Sequence, residues 1–228
     1  MESAPIRITR NTYCVGGPAS SDTSDCYIYV VDLGGSLVLV DAGAGRSVDR
    51  ILRNITQLGL KPENIVLLVL THEHIDHIGG AAAIRARVGC KVAAHQIAVP
   101  AITKANLVIT AAQVYGMPLQ PCPIDISLTG DAGPVPIDSK ALRYLHTPGH
   151  TPGSIVLYVN DGERRVLFGQ DLHGPFNPAW GSQIDQWRTS MQLVLALESD
   201  ILCEGHYGVY RGKSAVRQFI QGLLAQQT

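Results

Sequence analysis

The chain has 228 residues, enough for one α/β unit with a substantial core and not so long as to require two. Hydrophobic residues make up 46% and charged residues 16%, the balance of a folded protein rather than a disordered one. The formal net charge of -1 offers no basic field for nucleic acid or an anionic membrane, so neither is expected as a partner.

Residues 1–11 mix Glu2, Pro5, Arg7 and Arg10 and lack the apolar stretch of a signal peptide. The longest apolar run, residues 65–70, is too short to span a bilayer. Five cysteines (Cys14, Cys26, Cys90, Cys122 and Cys203) are scattered without a CxxC pair, which reads as reduced thiols in a cytoplasmic protein. Residues 26–32 and 36–41 are β-branched and apolar on either side of Leu33-Gly34-Gly35, a hairpin signature. Residues 46–58 place Val48, Ile51, Leu52 and Ile55 at helical spacing and then meet Gly59. Residues 65–70 read as a buried strand, 79–88 as a helix and 91–94 as a short strand.

Residues 100–116 read as one helix, closed by the proline-rich stretch 118–123. Strands follow at 141–145, 154–159 and 165–168, then a helix at 182–197, a strand at 200–203 and an amphipathic helix at 213–225. Strict strand–helix alternation is absent, so a layered α/β sandwich fits better than a doubly wound sheet. No repeat or linker divides the chain, and residues 1–228 read as a single domain.

The strand at 65–70 runs directly into Thr71-His72-Glu73-His74-Ile75-Asp76-His77. Four ligand-type side chains within six positions, at the carboxyl end of a strand, point to a metal site. Imidazole and carboxylate donors without thiolate suit zinc, iron or manganese. The His-Glu-x-x-His pattern of zincins is not met, because Asp76 occupies the position of its second histidine. His150 in a Pro/Gly-fixed turn, Asp171 and His206 each follow a predicted strand in the same way. If those strand ends share one edge, all seven residues converge.

These residues in this order resemble the metallo-β-lactamase superfamily, from Asp41-Ala42-Gly43 to His206. The resemblance implies a four-layer αββα sandwich and a two-metal centre. His72, His74 and His150 would hold one divalent ion, Asp76, His77 and His206 the second, and Asp171 would bridge. Zinc is the favoured metal, with iron or manganese as alternatives. Asp41 matches an aspartate that supports the site from behind. Two metals sharing Asp171 would lower the pKa of a shared water toward roughly 7, with Asp76 holding its proton and His173 serving the leaving group. The implied reaction is hydrolysis of a small ester, thioester or lactone; a phosphodiester is a further alternative.

Branches that open β-lactams carry a cysteine, or no bridging carboxylate, where this chain has Asp171, which argues against that substrate. Only 22 residues follow His206, so the helical glutathione-gripping domain of the thioesterase branch is not expected. Nor is there room for the inserted domain of the family's nucleases. The runner-up chemistry is a mononuclear iron persulfide dioxygenase using His72, His150 and Asp171, against which stand the remaining donors. A metal-stabilised scaffold is a third reading, and seven N/O donors would be an odd way to build one. His95 and His146 read as packing or supporting residues; Trp180, Trp187 and Arg188 follow the Gly/Pro-rich loop 174–181, with aromatic residues there either walling the pocket or packing in the core, and Tyr115 is a candidate lid residue. Expected partners are a small-molecule substrate and, as an open question, a second copy of the chain.

Overall fold

The computed structural model describes residues 3–137 and 141–227; residues 1–2, 138–140 and 228 of the expected single unit lie outside the described residues. The first sheet follows chain order: β1 (Ile6–Arg7), β2 (Thr12–Gly16), β3 (Ile28–Asp32), β4 (Leu37–Val40), β5 (Ile65–Leu70), β6 (Lys91–His95) and β7 (Ile126–Leu128). β3 and β4 form the expected antiparallel hairpin, whereas β4 to β7 run parallel. Parallel neighbours need crossovers. These contain α1 (Val48–Gln57), α2 (Ile75–Ile78), α3 (Ala81–Val88), α4 (Val99–Thr103) and α5 (Ala112–Tyr115).

The second sheet comprises β8 (Ala132–Pro134), β9 (Arg143–His146), β10 (Ile155–Asp161), β11 (Arg164–Gln170), β12 (Ile201–Glu204) and β13 (Gly208–Arg211), in spatial order β13-β12-β11-β10-β9-β8. β11 and β12 are parallel and joined through α6 (Ile184–Ala196). The last element is α7 (Lys213–Gln226).

Alternation along each strand sorts side chains into layers. On β5, Leu68 and Leu70 meet Ile51 and Ile55 of α1 and Ile84 of α3, while Leu67 and Val69 face the other sheet. Leu157, Val166, Phe168 and Ile201 complete that inter-sheet core. The far face of the second sheet, with Val156, Leu167 and Leu202, is covered by Trp187 and Met191 of α6 and Ile220 of α7. The result is an α/β four-layer αββα sandwich. Because both faces of β5 are covered, its sequence is almost uniformly apolar.

Several elements differ from the sequence expectation. The helix expected over residues 100–116 is two short pieces, α4 and α5. Ala105 and Ala111 adopt positive φ (48° and 55°), and Asn106 Oδ1 accepts from the Val108 and Ile109 amides at 3.1 and 3.0 Å. That side chain offers the backbone a turn in competition with the helix. The helix expected at 79–88 begins only at Ala81, and Ile75–Ile78 forms a helical turn of its own. β1, β2, β7, β8 and β13 were not expected; they are short or lie at sheet margins, where alternation is weak.

Phe168 is 1% exposed and stands against Tyr29 of the opposite sheet, ring centroids 5.6 Å apart. Phe168→Ala should therefore cost about 3–5 kcal/mol in urea-induced unfolding. A loss below about 1 kcal/mol would show that this ring does not join the two sheets.

Candidate metal centre

Parallel pairing places the carboxyl ends of β4 and β5 side by side, and those of β11 and β12 likewise. Asp41 follows β4, His72 to His77 follow β5, Asp171 follows β11 and His206 follows β12. His150 enters from the turn between β9 and β10. Two backbone bonds tie the halves together at this edge, Ile155 N–H to Thr71 O at 2.8 Å and Tyr27 N–H to Gly205 O at 2.7 Å. Asp41 and Gln170 have φ of 64° and 44°, so the chain turns sharply as it leaves β4 and β11.

All seven residues singled out as metal-binding candidates come together, in two groups. His72, His74, His150 and Asp171 form one; Asp76, His77, His206 and Asp171 form the other, with the donor atoms of each group within 4.8 Å of one another. Asp171 belongs to both. Its Oδ2 lies 3.8 Å from His72 Nε2 and 3.5 Å from His150 Nε2. Its Oδ1 lies 3.1 Å from His77 Nε2 and 3.2 Å from His206 Nε2. Asp76 Oδ2 completes the second group, 3.1 Å from His206 Nε2 and 3.7 Å from His77 Nε2. Donors about 2.0–2.2 Å from a tetrahedral ion stand roughly 3.4 Å apart, so this spacing accommodates one.

Hydrogen bonding supports a cation at these positions. His72 Nε2, His77 Nε2 and Asp171 Oδ1 are buried with no hydrogen-bond partner among the described residues, although buried polar atoms nearly always have one. His74 Nδ1 and His150 Nε2 face each other at 3.0 Å. His150 Nδ1 is placed to donate to the Pro175 carbonyl at 2.9 Å, and His77 Nδ1 to Asp41 Oδ2 at 2.7 Å, which leaves each Nε2 lone pair for a metal. Asp41 is itself held by the Thr71 amide and hydroxyl, both at 2.8 Å. These residues fit divalent ions bound through nitrogen and oxygen.

Electrostatics divides the two groups. Burial holds His74 down at about 3 and His150 at about 4, and lowers His72 as well, so these imidazoles are neutral donors. Burial opposes charge on His206 too, yet Asp171 and Asp76 raise it to about 10. His77 is raised against its burial by the Cys26 sulfur and the Asp171, Asp41 and Asp76 carboxylates. Asp171 and Asp76 are held below the usual carboxylate range despite their burial, chiefly by His77 and His206. The carboxylates of the second group thus favour positive charge on its imidazoles, whereas the imidazoles of the first group stay neutral.

His173 stands beside this group, its ring centroid 5.4 Å from that of His206, and its Nδ1 meets Glu204 Oε1 at 2.8 Å. Glu204 is fully buried and its other oxygen accepts the His206 and Tyr207 amides. Sequence reasoning passed over Glu204, whose only signal was its place two residues before His206. It also passed over Glu73, a buried carboxyl that burial pushes up to about 7 and that accepts the Thr151 hydroxyl at 2.8 Å.

Trp180 packs edge-on against His74 at 4.8 Å, whereas Trp187 is in the core. Arg188 pairs with Asp185 on α6. His95 and His146 stack on each other at 3.9 Å and 14°, outside both donor groups. Cys203 points into the inter-sheet core and is not part of the site. Cys26 does approach Asp41 and His77, but burial pushes its thiol well up and Asp41 is already spent on Thr71 and His77.

A family model for the metallo-beta-lactamase superfamily matches residues 22–206. The chain belongs to that superfamily. It is 28% identical over 215 residues to the probable metallo-hydrolase YybB of Bacillus subtilis, covering 89% of this chain and 82% of that one. It is 32% identical over 148 residues to a hydroxyacylglutathione hydrolase of Anaeromyxobacter dehalogenans, covering 65% of this chain and 46% of the other. A metallo-β-lactamase from Cronobacter sakazakii superposes with a TM-score of 0.80 at 19% identity, over 98% of this chain and 96% of that one, a likeness of fold. As a member of the superfamily the chain is a metallo-hydrolase, and divalent-metal binding is what the fold implies. No helix among the described residues is long and apolar enough to cross a membrane.

A Cβ on Gly205 would collide with Asp171 Oδ1, and Gln170 backbone lies just behind. Gly205→Ala should therefore displace the Asp171 carboxylate and cut metal retention after dialysis. Wild-type metal content in that variant would show that Asp171 has room to move. Asp41→Asn should weaken metal binding about 10–100-fold by loosening His77, measured by competition with a chromophoric chelator.

Proposed function

We propose that this chain is a dinuclear hydrolase of small esters, thioesters or lactones with a compact, apolar acyl part. The observation that carries the two-metal reading is Asp171, whose two oxygens face different donor groups. A mononuclear site would leave the Asp76, His77 and His206 group without a purpose. Divalent ions bound there, zinc in the first instance, supply a water that ionises near neutral pH and a positive field for the oxygen that gains charge.

The chain's own residues do the rest. Asp76, beside His206 and His77, holds the proton of the nucleophilic water. Glu204 fixes His173 by its Nδ1, so that Nε2 serves the leaving group. Trp180 beside His74 gives the first group an aromatic wall. The surroundings are poor in cations: Lys104 is the only one in residues 97–116, and residues 174–181 contain none. An apolar acyl group suits such walls better than an anionic polymer. Similarity to a hydroxyacylglutathione hydrolase supports acyl transfer to water, although over less than half of that enzyme's length.

Protein purified without added metal should carry about two divalent ions per chain and lose them together with activity on chelation. Asp171→Asn, which removes the shared charge, should deplete both ions and nearly abolish turnover. One iron per chain with oxygen uptake on persulfides, and no hydrolysis, would replace this reading with the dioxygenase one.

The substrate class is tested by kcat/KM for lactones, simple acyl thioesters, glutathione thioesters, phosphodiesters and β-lactams at equal metal loading. The first two should lead. A preference above about tenfold, or roughly 1.4 kcal/mol, for any of the others would show that the pocket selects differently.

A further inference from the structure

His150 reaches the first donor group from the opposite half of the sandwich to His72 and His74. The turn that carries it, residues 147–154, is fastened to its own half at several points. The Ser190 hydroxyl donates to the Pro148 carbonyl at 2.7 Å and the Gln183 amide to the Gly149 carbonyl at 2.8 Å. The Ser182 hydroxyl donates to the His150 carbonyl at 2.6 Å, and His150 Nδ1 meets the Pro175 carbonyl. These bonds fix His150 relative to α6 and the loop before it. They leave open how the turn sits against the end of β5.

Two bonds across the halves close that freedom. One runs from the Ile155 amide to the Thr71 carbonyl, and on its own it would act as a pivot. The other is made by Glu73, which lies between His72 and His74 in sequence and is 2% exposed. Its Oε2 accepts the Thr151 hydroxyl at 2.8 Å. With that proton given to Glu73, the Ser154 hydroxyl donates back to Thr151 Oγ1 at 2.9 Å, and its oxygen accepts the Thr151 amide at 3.2 Å. The corner 151–154 is therefore closed on itself behind the contact. Gly153 approaches so nearly that a Cβ there would stand 2.7 Å from Glu73 Oε2 and 2.7 Å from Ala98 Cβ. The turn is pressed onto the carboxyl, and separating a buried hydrogen-bonded pair leaves both groups unsatisfied.

We propose that Glu73 is a positioning residue whose bond to Thr151 sets the distance of His150 from His72 and His74. This role rests on the two-metal reading above. Thr151 follows His150 directly, so drift of Thr151 carries the imidazole with it. His150 Nε2 stands 3.0 Å from His74 Nδ1, and the ring centroids of His150 and His72 are 4.9 Å apart. A metal site tolerates only about 0.5 Å of misplacement in its donors. Thr71 and Glu73 flank His72, and two anchors remove the pivot that one would leave. The second donor group does not hang on this turn: Asp76 and His77 belong to α2, and His206 follows β12. Glu73 therefore acts on one ion of the pair.

The test measures zinc affinity, by competition with a chromophoric chelator, in two metal-stripped backgrounds. His206→Ala leaves the first donor group whole, and His150→Ala leaves the second whole. Glu73→Ala and Thr151→Val should each weaken zinc binding about 10–100-fold in the His206→Ala background. Neither should change it by more than about threefold in the His150→Ala background, where the ion has no ligand on the turn. Thr151→Ser, which keeps the hydroxyl, should bind zinc as its parent does in both. A substitution that merely loosened the fold would lower affinity equally in the two backgrounds, and that result overturns the role. Unchanged affinity in both overturns it too, as does a Thr151→Ser variant as weak as Thr151→Val. Should Glu73→Ala fail to fold, Thr151→Val, which removes the bond and keeps the shape, decides alone. A wild type that takes up fewer than about two zinc ions per chain removes the two-metal reading and this role with it.

Discussion

A buried carboxylate has to meet positive charge or give up its own, because taking an ion out of water into the protein is costly. Asp171 is 3% exposed, and each of its oxygens is surrounded by imidazole nitrogens from a different set of loops. His72 and His150 on one side, and His77 and His206 on the other, are brought there by both halves of the sandwich. The arrangement of β5, β11 and β12 is organised around that one side chain. Gly205 is small for the same reason, since any side chain there would take the space of Oδ1.

Around this centre the chain settles tautomers as well as positions. Asp41 and the Pro175 carbonyl each occupy one ring nitrogen of a histidine and thereby release the other. Glu204 does the same for His173 while accepting the His206 and Tyr207 amides in the turn after β12. None of these partners touches a reacting atom, yet without them the imidazoles could rotate or carry protons where lone pairs are needed. The backbone bonds from Thr71 to Ile155 and from Gly205 to Tyr27 add a mechanical condition. The two donor groups keep their spacing only while the two sheets keep theirs.

Legibility in the sequence followed the range of the interactions involved. The strand at residues 65–70, the helix α1 and the hairpin β3–β4 were readable because apolar periodicity and turn residues act within a few positions. The interval 100–116 reads as one helix because apolar residues recur along it with no internal glycine or proline between 101 and 115. What breaks it is a side chain, Asn106, capturing nearby amides, and tertiary packing that holds Ala111 at positive φ. The marginal strand β7 gains its conformation by pairing with β6, well back along the chain, and β8 by pairing with β9, which periodicity over three residues cannot reveal.

By itself the sequence determined the donor types and their order. His72, His74, Asp76 and His77 lie within six positions, and a strand end delivers them together whatever surrounds it. It also implied that His150, Asp171 and His206 belong with them, through resemblance to a family and through their places after strands. The same resemblance implied how the seven divide into two groups; tertiary structure is what brings Asp171 and His206, separated from the motif by about half the chain, to meet it through β11 and β12. Tertiary structure alone decided that Glu204 holds His173 and Trp180 packs on His74, whereas Cys203 and Trp187 face the core. Which way a side chain points at a strand or helix end depends on register and on the packing of distant layers, and no local pattern carries that information.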